Sequence, residues 1–127
     1  MDAKTQTALI EAIQKYLATA EVLKENLGEP IEVLICSSRI GFGVDGISIP
    51  YGIDECSLCA LFYSDGKCNG CCIRDDTGKT GCNGTPYPIY EDLLFKSFHV
   101  AQELIDAHDA ELHYLEDLYK RLTNKEA

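Results

Sequence analysis

Cys56-Ser57-Leu58-Cys59-Ala60-Leu61-Phe62-Tyr63-Ser64-Asp65-Gly66-Lys67-Cys68-Asn69-Gly70-Cys71-Cys72 is the stretch on which the reading of the whole chain turns. It holds two C-x2-C pairs separated by eight residues, with an Asp-Gly turn dipeptide inside the spacer. A C-x2-C turn aims two sulfurs at one point, and two such turns complete a tetrahedron of thiolates about 2.3 Å from a zinc ion. The spacing therefore predicts a closed Zn²⁺ site at Cys56, Cys59, Cys68 and Cys71, with Cys82 as an alternate ligand. Cys72 is adjacent to Cys71 and cannot readily reach the same ion. An iron–sulfur cluster is the second reading, since it also takes four thiolates, but its usual C-x2-C-x2-C run is absent. A redox dithiol at Cys56 and Cys59 lacks the βαβ surroundings it would need. Such a zinc would hold the fold together: catalytic zinc keeps an open position and usually takes a His or carboxylate, and the module has no His.

Outward from this module the chain becomes regular. Residues 52–89 carry six cysteines and six glycines with little periodicity, so a metal staple replaces an apolar core there. Before it, Leu9, Ile13, Tyr16, Ala20, Leu23 and Leu27 step by fours and threes, which predicts one amphipathic helix over 3–27. Gly28-Glu29-Pro30 stops it. Ile31 to Cys36 reads as a strand, Gly41-Phe42-Gly43 as a turn, and Val44 to Tyr51 as a second strand with Asp45-Gly46 a bulge or turn, giving a β-hairpin over 31–51. Cys36 reads as a small buried hydrophobe. After the module, Leu94, Phe98, Ala101, Ile105, His108, Leu112, Leu115, Tyr119 and Leu122 keep a heptad register, predicting one helix over 90–122, roughly 50 Å long. The expected fold is α+β in a single domain, with the two helices packed as a coiled-coil-like stalk. So long a seam asks for a second copy of the chain, as a dimer or larger assembly.

Composition bounds the function. The 127 residues are 46% hydrophobic and 25% charged, which suits a folded domain, and the formal net charge is −10. That charge argues against direct nucleic-acid binding, which needs Lys and Arg to displace counterions from phosphates. No apolar run approaches the roughly 20 residues of a membrane span. The polar start, Met1 to Thr7, has no signal-peptide core, and thiols without a leader point to a reducing cytoplasm.

Two surfaces are candidates for binding. Thr77-Gly78-Lys79-Thr80-Gly81 is not a nucleotide-hydrolase phosphate loop, because the Gly required five residues before Gly78 is Ile73. Arg74, Thr77, Lys79, Thr80 and Thr85 could still gather around an anion. Glu103, Asp106, Asp109 and Glu111, with Glu116 and Asp117 beyond, form an acidic run free of Lys and Arg that could meet a basic partner. His99, His108 and His113 lie on the long helix without the Glu-x-x-His spacing of di-iron bundles. His108 falls in the apolar seam, where a polar residue sets register or meets a carboxylate. No triad or acid–base pair can be assembled.

Cys56-x2-Cys59, Cys68-x2-Cys71, Thr77-Gly78, Cys82 and Gly84-Thr85-Pro86-Tyr87 resemble a pattern in small cysteine-rich proteins of bacteriophages and their hosts, over about residues 51–90. In that pattern a Pro commonly follows the fourth Cys, where this chain has Cys72. The resemblance implies no enzyme activity. It implies an accessory protein or inhibitor acting on a host component, including a defence system. The leading expectation is thus a non-enzymatic, zinc-stabilised binding protein that meets a basic host protein through its acidic surface. The alternative is a binder that sequesters an anionic nucleotide at the Gly/Thr/Lys loop.

Overall fold

Ala3 to Glu25 form the first helix, α1, which buries Thr5, Ala8, Leu9, Ala12, Thr19, Ala20 and Leu23 along one face. The computed structural model describes residues 3–36, 39–49, 58, 61, 63–64, 67–68, 71–78 and 84–123. The apolar stripe is the expected one, except that α1 ends at Glu25 and Leu27 is exposed. Gly28 then takes a left-handed φ of 88°. Its N–H turns away from the helix and donates to the Val100 carbonyl at 2.7 Å.

Three antiparallel strands follow, β1 (Glu32–Cys36), β2 (Arg39–Val44) and β3 (Ile47–Ile49), in the order β1-β2-β3. The expected hairpin is thus a three-stranded meander. Asp45 and Gly46 both have positive φ, 51° and 75°, which is the two-residue turn whose twist suits a hairpin, and it joins Val44 to its partner Ile47. Gly41-Phe42-Gly43 is not a turn but the middle of β2. Phe42 and Val44 alternate with the two glycines, and both are buried in the core while Gly43 pairs with Glu32 and Gly41 with Leu34. The apolar side chains of Phe42 and Val44, two residues apart on one sheet face, outweighed the glycines' preference for turns.

Within the cysteine module, β4 (Tyr63–Ser64) and β5 (Lys67–Cys68) pair antiparallel as a second, two-stranded sheet. A short helix, α2 (Cys72–Thr77), follows and is closed by Gly78 in the left-handed region.

The expected helix over 90–122 is two helices, α3 (Tyr87–Lys96) and α4 (Gln102–Thr123). Ser97 is extended, and the next residues pair with the chain after α1. Ile31 N–H donates to Phe98 O at 2.9 Å, and Val100 N–H donates to Glu29 O at 2.9 Å. These bonds, with Gly28 to Val100, replace the helical ladder across 97–101. The heptad pattern passes through the break only because Phe98 and Ala101 are apolar. Neither is in a seam: both are exposed.

The helix α1 runs antiparallel to α4, as the Gln6–Tyr119 and Lys24–Asp109 pairs at opposite ends show. Leu104, Ile105, Ala107, His108, Leu112, Leu115 and Leu118 of α4 are buried within the single chain. The argument from helix length for a second copy therefore falls away. One core cluster joins Leu9, Leu58, Cys71, Cys72, Ile73, Leu115 and Leu118; the other joins Leu23, Phe42, Val44, Tyr90, Leu94, Val100 and Leu104. Each leucine so buried contributes about 1.5–3 kcal/mol. The architecture is mixed helix and sheet, and among the described residues no helix is long and apolar enough to cross a membrane.

Candidate metal centre and the polar cluster beside it

The module places its described cysteines at the ends of regular elements. Cys68 ends β5 opposite Tyr63. Cys71 stands immediately before α2 in an extended conformation, φ −66° and ψ 131°, and its carbonyl accepts the Asp75 N–H at 3.0 Å. Cys68 and Cys71 thus flank the x2 segment of the second pair, one at the end of a strand and the other just before a helix. Cys71 and Cys72 are both buried, and neither is in a disulfide. Leu58, which lies between Cys56 and Cys59 in sequence, is fully buried in the same cluster as Cys71, Cys72 and Ile73. Cys56, Cys59 and Cys82 themselves lie outside the described residues. A hydrogen bond with Cys71, then burial, then the charge of Cys71 push the Cys72 thiol up.

The proposed anion loop is partly committed elsewhere. Thr77 Oγ1 donates to the Ile73 carbonyl at 2.9 Å, and a Cβ at Gly84 would lie 2.6 Å from Thr77 Cβ. The two ends of the 78–83 connection are therefore in contact, and Gly84 is there because nothing larger fits. Thr85 Oγ1 donates to Glu111 Oε2 and accepts the Tyr87 N–H, both at 3.1 Å. A hydroxyl already aimed at a carboxylate cannot also receive an anion, so Thr85 is a poor member of such a site. Arg74 is half-buried on α2. Lys79 and Thr80 lie outside the described residues.

The four acids chosen on α4 do not share one face. Glu103 and Asp106 are exposed, and Asp106 accepts a hydrogen bond from Gln102 Nε2 at 2.9 Å. Asp109 turns to α1 and pairs with Lys24 Nζ at 3.2 Å. Glu111 is only 2% exposed. Three residues beyond His108, it falls on the buried side of a 3.6-residue period, so it is lost from the partner surface.

What the sequence did not reveal is the group around His108. No family model, curated protein or solved structure matches the chain. The site is therefore described by its own geometry. His108 is 1% exposed, stacked on Tyr16 at 4.7 Å between centroids and edge-on to Tyr90 at 5.1 Å. Tyr87 extends the aromatic group, 6.1 Å from Tyr90. Burial lowers the His108 imidazole to about 4; Lys24 adds to that and Asp109 opposes it. Burial also pushes the Tyr90 phenol up. His108 Nδ1 and the Tyr90 hydroxyl have no hydrogen-bond partner among the described residues. His108 is buried, as its place among the apolar positions predicts, but it meets aromatic rings, and the Asp109 beside it is turned to Lys24.

A second network ties α2 to α4. Asp76 accepts from Arg121 Nη1 at 2.6 Å and from the Tyr114 hydroxyl at 2.7 Å, while Arg121 Nε also reaches Asp117 at 2.7 Å. The bonds from Arg121 and Tyr114 hold the Asp76 carboxyl below the usual range. The i,i+4 spacing of Asp117 and Arg121 is visible in sequence; the reach to Asp76 is not.

Proposed function

We propose that the chain is a zinc-stabilised binding protein without catalytic activity, a phage-type accessory protein that engages a basic host protein. The observation that carries the zinc reading is the placement of Leu58, from inside the first C-x2-C pair, in the same buried cluster as Cys71 of the second. Two C-x2-C segments sharing one small core support a common ion, and Cys68 at a strand end with Cys71 before a helix suits two ligands of a closed site. Zn²⁺ would be held by four of Cys56, Cys59, Cys68, Cys71 and Cys82, and its binding energy would be folding energy for the module. The net charge of −10 supports a basic partner, and Glu103 and Asp106 are the acids of the original set left on the surface.

The test has two parts. Metal analysis of purified protein should give one zinc per chain and no iron; zinc well under one per chain, or iron in its place, overturns the zinc reading. Affinity capture from bacterial lysate should return a basic protein. Turnover of a panel of nucleotide or thiol substrates, with no protein captured, overturns the binding-protein reading.

A further inference from the structure

The strand β1 is the end strand of its sheet, and among the described residues no strand lies along its outer side beyond Ile31. Two residues separate Cys36 from its partner Arg39, so this pair closes a hairpin and is hydrogen-bonded. By alternation, Glu32, Leu34 and Cys36 direct their backbone groups to β2, and Ile31, Val33 and Ile35 direct theirs outward. Ile31 confirms this, since its N–H binds Phe98 O on the outer side at 2.9 Å. The pairing started there by 98–100 cannot continue along Val33 and Ile35, because the chain before Ser97 is already α3.

Apolar side chains surround this open edge. Val33 is 60% exposed, although its register partner Phe42 is buried on the same sheet face. Phe95 packs edge-on against Phe42 at 5.3 Å and is 52% exposed, and Phe98 is 83% exposed. Aromatic surface of this kind beside an open strand edge marks a site of association. The two stretches that build this edge carry acids and no cations. Glu29 and Glu32 are exposed on the same edge, and no Lys or Arg occurs between residues 25 and 38 or between 97 and 119. Of the cations that flank these stretches, Lys24 is paired with Asp109 at 3.2 Å and Lys96 with Asp92 at 2.9 Å, while Arg39 stands opposite Cys36 at the far end of the strand from Glu29 and Glu32.

We propose that the outer edge of β1, with Val33, Phe95 and Phe98, docks an extended basic segment of a protein partner, added as a further strand. The proposal rests on the binding-protein reading and names the surface and the partner's chemistry. Strand addition supplies main-chain hydrogen bonds at Val33 and Ile35, and alternate side chains of the guest supply specificity. Apolar residues of the guest would cover Val33 and Phe98, and its Lys or Arg residues would meet Glu29 and Glu32. A second copy of the chain is the wrong occupant: self-pairing brings two −10 chains together and sets the Glu29 and Glu32 of both copies along one edge.

The experiment is selection from a display library of short random peptides on the full zinc-loaded chain. Peptides alternating apolar with Lys or Arg residues are expected. Methylating alternate backbone nitrogens of a selected peptide should abolish its binding, since it can no longer pair with a strand edge. Phe98→Ser should weaken binding about ten-fold. Val33→Pro should do the same; its N–H faces outward, so the sheet loses no bond of its own. Glu103→Lys with Asp106→Lys should weaken peptide binding much less than either edge variant does. No enrichment, or binding indifferent to methylation and to both edge variants, overturns the proposal. So does self-association of the chain that Val33→Pro abolishes. Loss of binding in the Glu103/Asp106 variant alone would instead keep the binding-protein reading and move its surface to α4.

Discussion

The imidazole of His108 lies on the ring of Tyr16 with centroids 4.7 Å apart and planes inclined by 27°. Because α1 supplies one ring and α4 the other, this stack fixes the two helices against each other between the two core clusters. It works only while the imidazole is neutral. Burial holds it at about 4, below its ordinary 6.5, so the folded protein resists the proton that the unfolded chain accepts. A depressed histidine of this kind leaves stability intact above pH 6.5 and removes it as the pH falls towards 4, by at most about 3 kcal/mol. Asp109 favours the charged form and Lys24 disfavours it. His108→Phe keeps a ring on Tyr16 and cannot take a proton. Denaturant titrations at a series of pH values should show a shallower fall between 6.5 and 4 for that variant than for the parent. Protonation of metal-binding thiolates is common to both and cancels in the comparison. Equal slopes would show that His108 contributes nothing to the acid limb.

Asp76 joins α2 to α4 through Arg121 and Tyr114. The Arg121 side chain is half exposed, so solvent screens the pair, and a double-mutant cycle of Asp76→Asn and Arg121→Ala should show a small favourable coupling that shrinks as salt is added. Removal of either partner should also speed hydrogen exchange in α2, a helix of six residues with few internal bonds of its own. Unchanged exchange there would mean that the thiol core alone holds the helix.

Gly84 touches Thr77 so closely that an added Cβ would sit 2.6 Å from Thr77 Cβ. Gly84→Ala must push apart the two ends of the 78–83 connection, at a cost of about 1–3 kcal/mol. Thr77→Gly removes the obstructing atom; it costs only about 0.3 kcal/mol in helix propensity relative to Thr, together with the loss of the hydroxyl bond to the Ile73 carbonyl. The double variant should then be more stable than the sum of the single effects, read as thermal midpoints. Strict additivity would place the cost of Gly84→Ala elsewhere.

These sites differ in how far sequence reveals them. The stripe of α1 and the stop at Gly28 were legible because helix periodicity and a left-handed glycine are both local. The Asp45-Gly46 turn was legible for the same reason, although Gly41 and Gly43 concealed the strand that leads into it. The break at 97–101 was not legible. It depends on hydrogen bonds to Gly28, Glu29 and Ile31, some 70 residues away, while Phe98 and Ala101 satisfy a heptad they do not occupy. Glu111 was taken for surface because a carboxylate seldom lies inside; its hydrogen bond from Thr85 is a long-range fact. The cysteine spacing remains the part of the candidate site that sequence states most directly.

Cys71 and Cys72 are adjacent and both buried, yet the zinc reading assigns them opposite roles. Cys71 precedes α2, where an extended backbone turns the chain out of the C-x2-C segment; Cys72 is the first helical residue and packs with Leu58 and Ile73. A ligand must be a thiolate that reaches the ion; Cys71 completes the C-x2-C pair with Cys68, and Cys72 stands one residue outside that pair. Cys71→Ser should therefore lower zinc content well below one per chain and unfold the module on mild chelation. Cys72→Ala should keep zinc at parity with the parent and lose only packing, about 1 kcal/mol for a small buried side chain. Metal analysis beside denaturant titration of both variants checks the assignment. If Cys72→Ala loses zinc while Cys71→Ser retains it, the ion takes its ligand from the helix itself, and the second chelating pair is Cys68 with Cys72.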